Sequence, residues 1–289
     1  MKWEDFRGSD NVQDYRGQGG GGMMGGGGGL GIGAMLILGL IGMFLGVDPR
    51  ILISGAEVLT GGGGGQVSSA PPKTGQPTDQ EGAFVSKVLA MNEDVWSKVL
   101  PQQKGIKYVQ PKLALFSGAT SSACGAAQSA MGPFYCPLDQ KVYLDTSFFK
   151  DMQKKLGGGG DFAYAYVIAH EIGHHVENLL GILPKVQQAQ QNSSQTQANA
   201  LSVRVELMAD CLAGVWAANA DRQWKILEQG DIEEALNTAS AIGDDRLQKQ
   251  GRGYAVPDSF THGSSAQRVQ WFKTGMQTGQ VDSCNTFRR

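Results

Sequence analysis

The sequence has little net charge, few histidines and few cysteines. Its 25 basic and 27 acidic side chains give a formal net charge of -2, and it contains four histidines and four cysteines. A near-neutral chain lacks the basic excess with which proteins bind polyanions, so we expect no nucleic acid as a partner. The cysteines form no Cys-x-x-Cys pair, which argues against a structural zinc site built from them.

Glycine is abundant, but it is clustered rather than spread along the chain. Many of the 42 glycines fall in runs such as Gly25–Gly29, Gly61–Gly65 and Gly157–Gly160. The total of 289 residues is enough for one large domain or two small ones. Residues 1–29 are polar and then glycine-rich, without apolar periodicity, so we predict a disordered tail there.

The segment Leu30–Val47 has no charged or strongly polar side chain. As a helix it would be about 27 Å long, close to the roughly 30 Å hydrocarbon core of a bilayer, which predicts one transmembrane helix. Lys2, Arg7 and Arg16 precede it, whereas only Arg50 follows it closely. The positive-inside rule therefore predicts a cytoplasmic N-terminus and an extracytoplasmic domain. A buried helix of a soluble domain is the alternative.

Residues 48–80 are rich in Gly, Pro and Ser and are predicted to form a linker, and residues 81–289 have the pattern of one globular domain. One strand is predicted at Lys141–Asp145, where apolar and polar residues alternate. The remaining periodic segments are helical, so the predicted fold class is α+β and mostly helical. The helix predictions are Ala83–Leu100, a helix with Asp161 as N-cap and Gly181 as C-cap, Ser194–Ala220, and a helix begun by a capping box of Asp231 and Glu234.

The segment His170-Glu171-Ile172-Gly173-His174 lies in one of these predicted helices. Residues four apart share a helix face, so His170 and His174 can direct ring nitrogens at one ion. Glu171 then lies beside the metal, where a carboxylate can accept a proton from zinc-bound water. The pattern therefore predicts one catalytic Zn²⁺ per chain with Glu171 as the base. His175 is rotated by about 100° around the helix axis from His174, so we expect it off the face that binds the metal. Ordinary histidines on a helix are the alternative.

A catalytic zinc usually has three protein ligands, and the third is expected downstream of the motif. The metzincin continuation is absent, because positions 177 and 180 are Glu and Leu. Glu206 and Asp210 lie one turn apart in an apolar stretch, where carboxylates are costly to bury without a cation or donor. We assign Glu206 as the third ligand, with Asp210 holding the free ring nitrogen of a ligand histidine. The alternative is that Glu206 pairs with Arg204 on an exposed face.

These residues resemble the gluzincin clan, and the surrounding segments resemble a narrower group, the predicted neutral zinc metallopeptidases of bacteria. The segments that carry the resemblance are KWEDFRGSDNVQDYRG, GPFYCPLDQKVYLD, HEIGHHVENLLG and ELMADCLAGVWA. It covers most of the chain and implies zinc ligands at His170, His174 and Glu206 and a catalytic base at Glu171. It also implies a zincin domain, a protein or peptide substrate, and a single-pass protein of the bacterial inner membrane.

The resemblance suggests two further features of the site. Gluzincins commonly pair the substrate backbone with a strand edge, and Gln140–Asp145 is the best candidate strand, with an interior strand as the alternative. The segment from Thr261 to Arg268 resembles a Thr-His-Pro-Ser…Arg stretch of membrane gluzincins, with Gly263 in place of proline. His262 could stabilise an oxyanion there, or it could be a helix-capping or surface residue. The role of Arg268 is left open in the same way.

The four cysteines are expected to form disulfides if the domain is extracytoplasmic. Sequence order suggests Cys124–Cys136 and Cys211–Cys284, one of three possible connectivities. Reduced, buried thiols in a cytoplasmic domain are the alternative.

The leading functional hypothesis is a membrane-anchored zinc endopeptidase. The second is a non-catalytic, metal-stabilised scaffold or binding protein at the membrane, which would have no need of a base at Glu171. Zinc-dependent hydrolysis of a non-peptide amide is a third hypothesis, because the chemistry at the metal would be the same. The sequence does not indicate an oligomeric state.

Overall fold

The computed structural model describes residues 1–17, 72–128, 132–155 and 159–288. Along the described parts of the chain, two short strands and one α-helix are followed by five strands and then by seven α-helices, which confirms a mostly helical α+β fold. The helices are α1 (Gln80–Lys104), α2 (Ser147–Lys155), α3 (Asp161–Leu179), α4 (Ile182–Gln191), α5 (Gln195–Trp224), α6 (Asp231–Ala241), α7 (Asp244–Arg252) and α8 (Ser265–Thr278). The strands are β1 (Val12–Asp14), β2 (Lys73–Thr74), β3 (Lys112–Phe116), β4 (Ala119–Ser122), β5 (Gly125–Gln128), β6 (Phe134–Cys136) and β7 (Lys141–Asp145).

Helix α5 packs against both α3 and α8, and these three helices form the centre of the core. Two glycines allow this close packing. A Cβ on Gly173 of α3 would lie 3.0 Å from the backbone oxygen of Ala209 on α5, and one on Gly275 of α8 would overlap the backbone oxygen of Cys211. Any larger residue at Gly275 would push α8 away from α5. Glycine at these crossings therefore brings the α3 residues around position 173 close to α5.

Two of the predicted helix starts are wrong in detail. Asp161 is the first residue of α3 rather than its N-cap, which is Gly160, and its carboxylate accepts a hydrogen bond from Trp3 Nε1 at 2.7 Å. Asp231 is likewise the first residue of α6, with Gly230 as the N-cap and no side-chain cap. Both carboxylates still suit the positive end of a helix dipole. The long helix α5 begins at Gln195, one residue after the predicted start, with Ser194 as its N-cap.

The strands form a five-stranded sheet in the order β2-β1-β3-β7-β6 and a separate hairpin of β4 and β5. Strands β1, β3 and β7 are parallel, and β6 runs antiparallel to β7. The predicted strand Lys141–Asp145 is confirmed, but it lies between β3 and β6 and its backbone is paired on both sides. The prediction that Gln140–Asp145 offers a free edge to substrate is therefore wrong. Among the described strands, β6 forms the edge on this side.

The N-terminal residues belong to the folded domain, so the prediction of a disordered tail is wrong for residues 1–17. Strand β1 lies inside the sheet, paired with β2 and with β3, and the side chain of Val12 is fully buried. Arg7 forms ion pairs with Glu93 and Asp94 on α1. The polar composition misled the prediction because these side chains find their partners on α1 rather than in water.

This packing also contradicts the predicted membrane topology. Residues 1–17 and 73–74 are neighbours in one sheet, so the N-terminus and the domain lie on the same side of any membrane. A cytoplasmic N-terminus with an extracytoplasmic domain would separate them. The predicted span, Leu30–Val47, lies outside the described residues, as does most of the predicted linker at 48–80. Within the described ranges, no helix is long and apolar enough to cross a bilayer.

We expect Val12→Thr to lower the free energy of unfolding by about 1–3 kcal/mol, because it buries a hydroxyl at a fully buried position of the sheet. Urea denaturation of the purified protein measures this change, and Asp10→Asn at an exposed position serves as the control. An unchanged midpoint in Val12→Thr would restore the disordered-tail prediction.

All four cysteines are paired as sequence order suggests. Cys124 is bonded to Cys136, which joins the β4–β5 hairpin to the edge strand β6, and Cys211 is bonded to Cys284. The second bond fixes the C-terminal residues to α5 directly beside Asp210. Disulfides persist in oxidising compartments, so both bonds favour an extracytoplasmic domain.

Candidate metal site

The two histidines of the motif lie one turn apart on α3, and their Nε2 atoms point at the same carboxylate on α5. His170 Nε2 is 3.2 Å from Glu206 Oε2, and His174 Nε2 is 3.6 Å from Glu206 Oε1. Ligand atoms of these three residues all lie within 4.8 Å of one another. The helices α3 and α5 therefore bring together the three residues that the sequence predicts as ligands.

The donor set and its spacing fit zinc. Zinc binds nitrogen and oxygen at about 2.0–2.2 Å, which puts neighbouring ligand atoms of a tetrahedral site about 3.4 Å apart. The two nitrogen–oxygen separations, 3.2 Å to Oε2 and 3.6 Å to Oε1 of Glu206, are close to this value, and the ligand atoms of all three residues lie within 4.8 Å of one another. Two imidazoles and one carboxylate also form a common ligand set of catalytic zinc sites, in which a fourth position stays open for water.

Glu206 is held as a carboxylate by its surroundings. Burial alone would raise its pKa, but the nearby histidines His262, His174 and His170 lower the pKa well below its ordinary value. When a metal binds, the two imidazoles are neutral, and the ionised Glu206 adds a negative charge that suits a divalent cation. The alternative pairing of Glu206 with Arg204 on an exposed face is not observed.

Asp210 contacts His170 as the sequence analysis predicts. His170 Nδ1 donates to Asp210 Oδ1 at 2.9 Å, so Nε2 is the nitrogen directed at the site. Tyr166 OH donates to the same oxygen at 2.6 Å, and Arg268 donates from Nε and Nη2 to the two carboxylate oxygens at 2.9 Å each. Burial would raise the pKa of Asp210, but Arg268 and His170 hold it below the ordinary value.

Arg268 thereby receives a role that the sequence left open, and Tyr166 is a residue that the sequence analysis missed. Both side chains are buried, and Tyr166 precedes His170 by one helical turn on α3. That four-residue spacing was visible in the sequence and places the phenol on the metal face. Arg268, which lies on α8, could be connected to Asp210 only through the fold.

Glu171 is 7% exposed and follows the first ligand on α3. Burial raises the pKa of its carboxyl, while His170 and His174 oppose that rise. A raised pKa makes a carboxylate a better proton acceptor at neutral pH, which is the property needed in a general base.

His262 lies near the site, at the N-terminal end of α8. Its Nδ1 is 3.2 Å from Asp244 Oδ1, and the other oxygen of Asp244 accepts hydrogen bonds from the backbone N–H groups of Thr261, His262 and Gly263. Burial would lower the pKa of His262, but Glu206 and Asp244 raise it above the ordinary value. His262 is thus held in a fixed orientation by Asp244, a residue for which the sequence offered no indication.

His175 lies off the metal face, as expected. Its ring is fully buried, with Nε2 donating to the carbonyl of Val109 at 2.6 Å and Nδ1 accepting from Tyr135 OH at 2.9 Å. Burial lowers the pKa of His175, so it is neutral at physiological pH. It ties α3 to strand β6 and to the loop before β3.

Comparison with known proteins agrees with this site. Residues 1–287 match the family described as "putative neutral zinc metallopeptidase". The chain belongs to this family. It is 51% identical over 293 residues to the uncharacterized protein YpfJ of Escherichia coli (strain K12), covering 99% of both chains. It is 46% identical over 203 residues to the uncharacterized proteins Mb2605 of Mycobacterium bovis and Rv2575 of Mycobacterium tuberculosis, covering 67% of this chain and 66% of each relative. No solved structure matches the chain.

Membership of this zinc metallopeptidase family confirms the resemblance found in the sequence and suggests zinc as the metal. The family match includes residues 1–17, which agrees with their place in the sheet.

We expect the purified protein to hold about one zinc per chain, and His170→Ala or Glu206→Ala to hold far less, because two ligands bind zinc much more weakly than three. Elemental analysis after dialysis measures this. Full zinc retention in Glu206→Ala would remove Glu206 from the ligand set.

Proposed function

We propose that this protein is a zinc-dependent endopeptidase in which His170, His174 and Glu206 hold the metal and Glu171 is the general base. The observation that carries the proposal is the convergence of two imidazole nitrogens and a carboxylate from α3 and α5, with Glu171 buried beside them. A carboxylate next to the ligands is needed for hydrolysis but not for metal storage or for structural support.

Each protein group around the metal has its own role in the proposed hydrolysis. A bound zinc ion supplies a Lewis acid that polarises the substrate carbonyl and lowers the pKa of water. Glu171 accepts a proton from the attacking water and delivers it to the leaving amine. His262, which Asp244 orients, donates a hydrogen bond to the carbonyl oxygen as negative charge develops there. Asp210 keeps His170 in the tautomer that binds metal.

The edge strand β6 is the proposed docking site for the substrate backbone. It contacts α3, and Tyr135 on β6 donates to His175 of that helix. Its outer side carries no strand partner among the described residues. A peptide that adds to this edge would bind through main-chain hydrogen bonds, which recognise extended segments of many sequences. This favours unfolded proteins and peptides as substrates.

The proposed location is extracytoplasmic. The two disulfides support an oxidising compartment. The predicted single crossing by Leu30–Val47 is not part of this proposal, because it would put residues 1–17 on the opposite side of the membrane from β2, with which β1 pairs. The N-terminus is therefore expected in the same compartment as the site.

The decisive experiment is cleavage of a generic unfolded protein, such as reduced and alkylated casein, by the full-length chain in detergent. We expect cleavage that a chelator abolishes and that one equivalent of zinc restores. Zinc-loaded protein that cleaves no unfolded protein or peptide would contradict the proposal and favour the scaffold hypothesis. Cleavage of a small non-peptide amide alone would favour the third hypothesis.

A further inference from the structure

Glu177 is a buried acidic residue on the zinc helix that the chemistry above does not use. It follows His174 by three positions, so the two side chains lie on the same face of α3. Glu177 is fully buried, and its Oε2 is 2.9 Å from His174 Nδ1. For Nε2, which is directed at Glu206, to bind a metal, the ring proton must be on Nδ1, and Nδ1 then donates to Glu177.

This hydrogen bond fixes the tautomer of His174. With the proton on Nδ1, the lone pair is on Nε2, the nitrogen that is directed at Glu206. His174 therefore has the same arrangement as His170, in which Asp210 accepts from Nδ1. Carboxylates that hold the distal nitrogen of a metal-binding histidine orient the ring and make it a stronger ligand.

The two carboxylates differ in how their charge is balanced. Arg268 donates to both oxygens of Asp210, so that buried charge has a permanent cationic partner. Glu177 forms no ion pair with lysine or arginine within the described residues, and its second oxygen, Oε1, has no hydrogen-bond partner there. The hydrogen bond to His174 is therefore the contact that holds the Glu177 carboxylate in place.

We propose that Glu177 is a positioning residue for the zinc ligand His174, because its buried carboxylate accepts from Nδ1 and leaves Nε2 for the metal. The inference rests on the proposed zinc site but not on peptide cleavage. Asp210 and Glu177 then have matching parts, since each accepts from Nδ1 of one ligand histidine.

The test compares Glu177→Gln and Glu177→Ala with the parent, using zinc affinity from competition with a chromogenic chelator. Glutamine can still accept from His174 Nδ1 but has no charge, whereas alanine removes both. We expect zinc affinity to fall about tenfold in Glu177→Gln and about a hundredfold in Glu177→Ala. Substitution by Co²⁺ gives a spectroscopic readout, since the visible bands report the ligands and should shift in both variants.

Glu93→Gln is a matched control, because Glu93 is also a buried glutamate but lies on α1 and contacts Ser9, Asn11 and Arg7. Its zinc affinity and Co²⁺ spectrum should equal those of the parent. The thermal midpoint of each metal-free variant shows whether it is folded. Parent-like zinc affinity in both folded variants would overturn the proposal. Neither readout requires turnover, so an absence of cleavage would count against the peptidase function alone.

Discussion

Glu171→Gln is expected to lower proteolytic activity by at least about a hundredfold while leaving the zinc content close to one per chain. General acid–base groups typically contribute 10²–10⁴-fold, and glutamine keeps the shape of the side chain but accepts no proton at neutral pH. Glu171 follows His170 on α3 and is not one of the three residues whose ligand atoms converge. Its loss should therefore affect the chemical step rather than metal binding, so kcat should fall more than KM changes.

The measurement is cleavage of the unfolded protein substrate by zinc-loaded parent and variant at equal zinc content. Glu233→Gln, on the exposed face of α6, makes the same chemical change away from the site and should leave activity unchanged. Activity that survives Glu171→Gln would place the base elsewhere. Loss of zinc from this variant would make Glu171 a ligand and would contradict the division of roles proposed here.

The centre of the site could be predicted from the sequence because helical spacing is local. His170, Glu171 and His174 share one helix, and the cost of burying Glu206 and Asp210 in an apolar helix pointed to a cation or a donor. The three ligands do converge as that reasoning required. Glu177 could have been found in the same way, since its spacing from His174 is also helical. It was considered only as the position at which the metzincin pattern requires glycine.

The sheet was largely missed because its strands are short and its pairings are distant in sequence. Strand β1 has three residues, and it pairs with Leu113 to Leu115, about a hundred residues further along. Period-two alternation carries no information over three residues. Without β3 and β6, strand β7 had no visible neighbours, so an interior strand was mistaken for an edge. Asp244 and Arg268 were unassignable for a related reason, because only tertiary packing brings α7 and α8 to the site.

Arg268→Met is expected to lower the free energy of unfolding by about 3–5 kcal/mol in the metal-free protein. Removing one member of a buried ion pair leaves the other charge uncompensated, and this costs far more than the pair itself contributes. Arg268 is 3% exposed and Asp210 fully buried, and two hydrogen bonds of 2.9 Å join them. Urea denaturation in the presence of a chelator measures the loss.

The double variant Asp210→Leu with Arg268→Met separates stability from function. Both buried charges are then gone, so most of the lost stability should return, because apolar replacements of buried ion pairs are often neutral. Zinc affinity should stay about 10–100-fold below that of the parent, since His170 Nδ1 no longer has its carboxylate. If Arg268→Met alone costs less than about 1 kcal/mol, the charge of Asp210 is balanced by something other than Arg268. If the double variant binds zinc like the parent, Asp210 does not position His170, and the ion pair between α5 and α8 serves the fold alone.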